Sequence, residues 1–193
     1  MVTFEDSIIN LISSGGIGVV PTDTLYGLVA SANNEQAVKR LYSLKNREKK
    51  PGTLIASSIE QLVDLGLKKR YLTAVAQYWP NSISVVIPTD SRLEYLHQGQ
   101  KSLAVRLPAD VNLIDLLNKT GPLITTSANL PGEEPSTNIS EAKKYFGDKV
   151  DFYVDGGRLN VVPSTVIRVI DDAIEILRQG KVKINEKGEI IKK

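Results

Sequence analysis

The chain has no cysteine and a single histidine, His97. Without thiols there are no disulfides, thiolate nucleophiles, iron–sulfur clusters or cysteine zinc sites. One imidazole cannot make a His–His metal pair, and a Ser-His-Asp triad would have to be built on that ring alone. Long apolar runs are missing too: none approaches the ~20 residues that span a bilayer. The opening residues MVTFEDSIINLISSGG carry Glu5 and Asp6 and no basic cluster, so no signal peptide is read there. The expectation is a soluble, cytoplasmic protein with no membrane association. A strong charge of one sign is also lacking, with 24 Lys and Arg against 22 Asp and Glu. That balance excludes a tail-like nucleic-acid binder and leaves room only for a local basic face. Any chemistry must run on Lys, Arg, hydroxyls, amides and carboxylates.

What is present is a core-forming composition. With 193 residues, 41% of them hydrophobic, the chain is long enough to bury about 70% of its unfolded surface as one domain. Two periodicities alternate along it. Phe4, Ile8, Leu11 and Ile12 share a helical face that Gly15-Gly16 stops. Short apolar runs at 17–20, 25–30 and 53–56 read as strands, as do 82–87, 102–107 and 122–126. Further strands are read at 152–154, 165–170 and 173–177, the last two joined by a hairpin turn at Asp171-Asp172. Between them, Asn33 or Asn34 can cap a helix with Ala37, Val38, Leu41 and Leu44 inward. Ser57 and Glu60 have capping-box spacing. Asp110 can cap a helix carrying Val111, Leu113, Ile114 and Leu117, and Ser140 can cap EAKKYF before Gly147. The expected architecture is mixed α/β (α+β): a single domain with a twisted, part parallel and part antiparallel sheet flanked by helices and a concave basic crevice. Residues 1–180 are expected to form that domain, and 181–193 a loosely held basic tail.

No phosphate-binding glycine signature is present: G-x-x-x-x-G-K-[ST] and G-x-G-x-x-G are both absent. Four segments instead place hydroxyls or cations at strand exits. They are Pro21-Thr22-Asp23-Thr24-Leu25-Tyr26-Gly27, Lys45-Asn46-Arg47 with Lys49-Lys50, Ser102 with Arg106, and Thr125-Thr126-Ser127-Ala128-Asn129. Singly, each has an ordinary reading as a turn or a solvated helix end. Jointly they suit a ligand crevice, because strand ends in open α/β sheets line one. Arg forks phosphate, Lys adds a mobile charge, and Ser, Thr and Asn complete the shell. No general base stands out, which phosphoryl or nucleotidyl transfer tolerates, since positioning and charge stabilisation dominate there. His97, in the polar stretch RLEYLHQGQK, reads as a surface ring rather than a catalyst. Trp79 and Pro80 read as packing at a helix end rather than as a base-stacking platform.

Five motifs occur in order: P-T-D-T-L-Y-G-L (21–28), K-N-R (45–47), L-A-V-R-L-P (103–108), S-A-N-L-P-G (127–132) and P-S-T-V (163–166). Together they resemble the YrdC-like L-threonylcarbamoyladenylate synthases, over about Gly15 to Gly180, in the short, single-domain version. The resemblance implies a nucleotidyltransferase that joins L-threonine, bicarbonate or CO2 and ATP, with Mg2+ accompanying ATP. It would yield threonylcarbamoyl-AMP and pyrophosphate, the product passing to the transferase machinery that modifies adenosine 37 of tRNA.

By matched position, the resemblance implies catalytic roles for Lys45, Arg47, Ser127 and Asn129. Arg47, Lys50, Ser102, Ser127, Ser136 and Arg178 fall at ATP-contact positions. Thr24, Arg106, Thr125 and Ser164 fall at threonine-contact positions, with Arg106 facing the substrate carboxylate. No protein metal ligand is implied. The sequence departs from the family pattern W-P-G-P-x-T, reading Trp79-Pro80-Asn81-Ser82-Ile83-Ser84. Its basic loop reads R-E-K-K-P-G-T, and a histidine often found after that loop is missing near Ala56. Two alternatives stand beside the synthase: a module binding double-stranded RNA or tRNA, and a carbamoyl-adenylate former using another acceptor.

Overall fold

In each strand successive side chains point to opposite faces, and this chain uses that period to give its sheet one dry face and one divided face. A computed structural model describes residues 3–46, 49–160, 162–170 and 173–191. Among them the strands are β1 (Gly18–Pro21), β2 (Tyr26–Ser31), β3 (Thr53–Ile55), β4 (Ile83–Pro88), β5 (Ser102–Arg106), β6 (Leu123–Ser127), β7 (Phe152–Tyr153), β8 (Thr165–Ile170) and β9 (Ala173–Arg178). They form one sheet in the order β7-β1-β2-β6-β3-β5-β4-β8-β9. The pairs β1–β7, β3–β5 and β4–β8 are parallel and the others antiparallel. The helices are α1 (Asp6–Ser13), α2 (Glu35–Leu44), α3 (Ile59–Leu65), α4 (Lys69–Thr73), α5 (Glu94–His97), α6 (Val111–Thr120) and α7 (Ile139–Phe146). This is the mixed α/β architecture expected. Among the described residues no helix is long and apolar enough to cross a membrane.

The dry face carries Leu28, Leu54, Val85, Val105 and Ile124, which pack against Leu41, Leu62, Leu72, Leu96 and Phe146 from α2–α5 and α7. On the other face Val20, Val29, Ile55 and Leu123 meet Ile9 and Ile12 of α1 and Leu113, Leu116 and Leu117 of α6. Farther along the strands of that second face the character changes. Thr125 lies opposite Thr53, Thr53 opposite Ala104, and Ala104 opposite Val86. β5 shows the alternation directly, with Ser102 and Ala104 half-buried and Leu103 and Val105 buried. One face is therefore mainly apolar, with the buried threonines Thr126 and Thr165 on it, and the other is apolar where α1 and α6 cover it.

Several local expectations shift. Asp110 caps α6 as read, accepting from Leu113 N, and of the two candidates Asn33 and Asn34 it is Asn34 that caps α2, accepting from Ala37 N. The α3 cap is Ser58 rather than Ser57: its Oγ accepts from Gln61 N, while Gln61 Oε1 accepts from Ser57 N at 3.1 Å. Gln61 thus does what Glu60 was expected to do, one residue later. The α7 cap is Asn138 rather than Ser140, because Asn138 Oδ1 accepts from Glu141 N while Glu141 accepts from Thr137 N at 2.7 Å. α6 buries Leu116 and leaves Val111 67% exposed, and α1 buries Ile9 while Leu11 is exposed. In each case the helix phase is set by contact between α1 and α6. The turn expected at Asp171-Asp172 lies outside the described residues; β8 and β9 on either side pair antiparallel.

Two corrections concern larger features. His97 is buried, not a surface ring: Nε2 lies 3.0 Å from Asp90 O, and Nδ1 accepts from Gly99 N and Lys101 N. The ring thereby stitches a turn through backbone atoms on both sides of it. The segment after Gly180 is not loose through residue 191. Ile184 is buried, Ile184 and Ile190 pair, and Tyr78 donates its hydroxyl to Gly188 O. The chain turns tightly at Gly180, where a Cβ would lie 2.2 Å from Pro163 O.

The β1–β7 edge is fastened to α2 by Asp151. Its Oδ2 accepts from Ile17 N at 2.7 Å, and Arg40 grips both carboxylate oxygens at 2.6 and 3.0 Å. The Arg40 hydrogen bonds hold the Asp151 carboxyl below the usual range, against a smaller opposing effect of burial. A depressed carboxylate stabilises the fold above its unfolded pKa, and the benefit is lost as pH falls through the folded value. Asp151→Asn is therefore expected to cost about 1–2 kcal/mol at pH 7. In urea unfolding at successive pH values, that difference should shrink below about pH 4.

Candidate functional site

The site is built from the uncovered part of the divided face and the loops beside it. Thr22 organises the turn between β1 and β2: its hydroxyl donates to Leu25 O at 2.6 Å and accepts from Thr24 N and Leu25 N at 3.2 Å. The turn sends Thr24 and Asp23 toward the end of β5. There Arg106, only 3% exposed, pairs through Nη2 with Asp23 Oδ1 at 3.0 Å. Ser82 donates its hydroxyl to Asp23 Oδ2 at 2.7 Å. Lys181, from the C-terminal segment, donates to Asp23 O at 2.6 Å.

A pocket of about 130 Å³ opens beside this pair. Thr24, Arg106, Thr125 and Ser164 all line it, together with Ser127 and Arg178. The four residues expected at threonine-contact positions are thus brought together, and all four are buried. Gly27 keeps the wall clear, since a Cβ there would lie 2.5 Å from Thr125 Oγ1. Arg178 is laid along Ser164, donating from Nε to its carbonyl at 3.0 Å and from Nη2 to its hydroxyl at 3.3 Å. Ser164 also shares a hydrogen bond with Ser84 at 3.0 Å.

Burial and charge act on both arginines that line the pocket. Burial lowers the pKa of Arg106, with the Asp23 charge opposing. Burial lowers that of Arg178 as well, and the nearby Arg106 charge lowers it further. Two guanidinium groups therefore line one small pocket, Arg106 acting on Arg178, with Asp23 as the carboxylate paired to Arg106. An anion entering there relieves both the repulsion and the desolvation. Arg106 Nε, moreover, has no hydrogen-bond partner among the described residues.

A second cluster adjoins the first through Ser127. Lys45 forms the C-cap of α2, is 4% exposed, and donates to Ser127 O at 2.8 Å, to Asn129 Oδ1 at 2.9 Å and to Asn129 O. Ser127 donates its hydroxyl to Asn129 Oδ1 at 2.6 Å, and Asn129 Nδ2 donates to Glu133 O. Ser136, buried, donates to Ala128 O at 2.5 Å and so shapes the same loop from behind. Lys45, Ser127, Asn129 and Ser136 thus come together. Arg47 lies outside the described residues. Lys50 is exposed just before Pro51 and Gly52, which line the pocket. Ser102 lies at the opposite end of β5 from Arg106, about 13 Å along the strand, and does not line the pocket.

Residues without an assigned role at the sequence level now have one: Asp23, Ser82, Ser84 and Lys181. Asp23 could have been suspected, because a buried arginine requires a carboxylate. Its partner was unknowable without the strand order. No group of three or more His, Asp or Glu side chains among the described residues forms a metal-holding cluster.

Comparison with known proteins bears on the whole arrangement. A family model for Sua5, YciO and YrdC proteins, described as "Telomere recombination", matches residues 10–180. The chain is 34% identical to the threonylcarbamoyl-AMP synthase of Pseudoalteromonas translucida, over 82% of this chain and 89% of the relative. It is 30% identical to a putative threonylcarbamoyl-AMP synthase of Mycobacterium tuberculosis, over 96% of this chain and 88% of the relative. The crystal structure of P. abyssi Sua5 complexed with L-threonine superposes with a TM-score of 0.81 at 29% identity. That match covers 93% of this chain but 56% of the longer Sua5 chain. By the family model and by these relatives, the chain belongs to the Sua5/YciO/YrdC family.

Proposed function

We propose that this protein is an L-threonylcarbamoyladenylate synthase acting in the cytoplasm, with L-threonine, bicarbonate or CO2 and Mg2+-bound ATP as substrates. The observation that carries the reading is the 130 Å³ pocket in which Arg106 meets Thr24, Thr125 and Ser164. A buried guanidinium beside three small hydroxyl side chains suits a small zwitterion: Arg106 takes the carboxylate, and the hydroxyls meet its polar atoms. Relatives named threonylcarbamoyl-AMP synthase and a Sua5 bound to L-threonine support the same choice of substrate.

The reaction follows from charge handling. The threonine amine attacks CO2, an N–C bond forms, and the ammonium proton passes to solvent, leaving a carbamate. A carbamate oxygen then attacks the α-phosphorus, an O–P bond forms, and the bond to pyrophosphate breaks. Negative charge grows on the phosphoryl oxygens, so preorganised cations and donors lower the barrier. Arg178 sits where the threonine pocket opens, and Ser127 joins that pocket to the Lys45–Asn129 loop. In this reading Ser127, Asn129, Arg47, Lys50 and Arg178 face the triphosphate, and Mg2+ arrives on ATP. No step needs a thiol or an imidazole, and the product passes to a tRNA-modifying transferase.

Incubation with ATP, bicarbonate, threonine and Mg2+ is expected to yield a threonylcarbamoyl-AMP mass and threonine-dependent pyrophosphate. Absence of both would overturn the reading, and a panel of other amino acids tests for a different acceptor. Arg47→Ala is expected to lower synthesis at least ~100-fold at an unchanged melting temperature. Lys45→Ala is expected to lower activity and melting temperature together, because its ammonium holds the Ser127–Asn129 loop. Wild-type turnover in both variants would refute that assignment.

A further inference from the structure

Arg106 ends β5 with its guanidinium buried, so its orientation depends on the few atoms that touch it. Asp23 Oδ1 is its ion-pair partner, and the direction of that oxygen depends on what holds the other one. Asp23 Oδ2 is held by the Ser82 hydroxyl at 2.7 Å, a charge-assisted bond within a buried group. We propose that Ser82 is a positioning residue that orients Arg106 through Asp23, and so sets how well the pocket takes a carboxylate. The inference rests on the reading of Arg106 as the carboxylate-binding cation.

Ser82 is itself fixed from both sides. Its neighbour Asn81 donates a backbone N–H to Leu107 O, one residue beyond Arg106, at 2.9 Å. Thr165 N donates to Ser82 O at 3.1 Å, one residue beyond Ser164. Asn81 Oδ1 also accepts from Ser82 N at 3.0 Å. The hydroxyl therefore hangs from a backbone tied to the Arg106 strand and to the Ser164 segment at once. Lys181 holds the Asp23 backbone at 2.6 Å, leaving carboxylate rotation as the free variable that Ser82 removes. This is also where the sequence departs from W-P-G-P-x-T, whose second proline has no hydroxyl to donate. Here the serine supplies a contact that the common pattern cannot make.

Ser82→Ala removes the donor and leaves Asp23 Oδ2 buried without it, while Ser82→Thr keeps the hydroxyl. In steady-state pyrophosphate release, Ser82→Ala is expected to raise the threonine KM roughly tenfold and leave the ATP KM within about twofold. Ser82→Thr is expected to restore the threonine KM. In 15N-labelled protein the Arg106 Nε–Hε resonance should shift in Ser82→Ala and return in Ser82→Thr. A lower melting temperature with both KM values unchanged, or raised equally, would make Ser82 structural only and overturn the proposal. An unmoved Arg106 resonance in Ser82→Ala would also overturn it. If the wild-type protein releases no threonine-dependent pyrophosphate, the functional reading fails by itself. The resonance then decides the Ser82–Asp23–Arg106 relay: a shift supports it, and no shift overturns it.

Discussion

A guanidinium that is 3% exposed must be paired, since an isolated buried charge would cost several kcal/mol. Arg106 meets that demand with Asp23, and much of the site geometry follows from the pairing. The β1–β2 turn has to bring a carboxylate to the end of β5, which requires the Thr22 hydroxyl to lock that turn. Once Asp23 is there, Thr24 is carried into the pocket wall, and the C-terminal segment gains an acceptor for Lys181. The pair holds a guanidinium in place at the wall of a small pocket. Two apolar residues would pack there at less desolvation cost but could not bind an anion.

The second determinant is unequal covering of the sheet. α1 and α6 seal the divided face only over Val20, Val29, Ile55 and Leu123. Beyond them the same alternation that buries leucine and valine on the dry face presents Thr125, Thr53 and Ala104 on this one. The concavity needs no separate architectural device. It is what remains when strands outrun the helices that cover them, and the polar residues there are those that tolerate water on one side.

The sequence disclosed what depends on local period and little of what depends on strand order. The strands at 17–20, 82–87 and 122–126 were readable because their apolar, β-branched runs end at proline or polar residues. The α6 cap was readable at Asp110, whereas the α3 cap lies at Ser58, one residue past the Ser57 that was read. His97 was misread because the groups that bury it, Asp90 O, Gly99 N and Lys101 N, are backbone atoms of a polar stretch. The tail was misread because its lysines mask Ile184 and Ile190, which pair with each other and pack against the main core. Among the site residues, Thr24, Arg106, Thr125 and Ser164 followed from motif resemblance and converge on one pocket. Asp23 did not, because its role exists only once β1, β2, β6, β3 and β5 stand in that order.

The near absence of histidine and cysteine acquires a physical sense from the way the cations are held. Lys45 does not reach into solvent: its ammonium is spent on Ser127 O, Asn129 O and Asn129 Oδ1, drawing the β6 exit toward the end of α2. Arg106 is fixed by Asp23, and Arg178 by both oxygens of Ser164. Lys45 and Arg178 are thus anchored by hydrogen bonds, and Arg106 by an ion pair, before any ligand arrives. Groups oriented in advance need not reorganise as charge develops, which is the main way such a site lowers a phosphoryl-transfer barrier. A titrating imidazole would add a charge that changes with pH, whereas arginine keeps its proton across the whole working range. The same logic explains why a net charge of only +2 is enough. What counts is that Arg106 and Arg178 share one pocket, close enough for the Arg106 charge to act on Arg178.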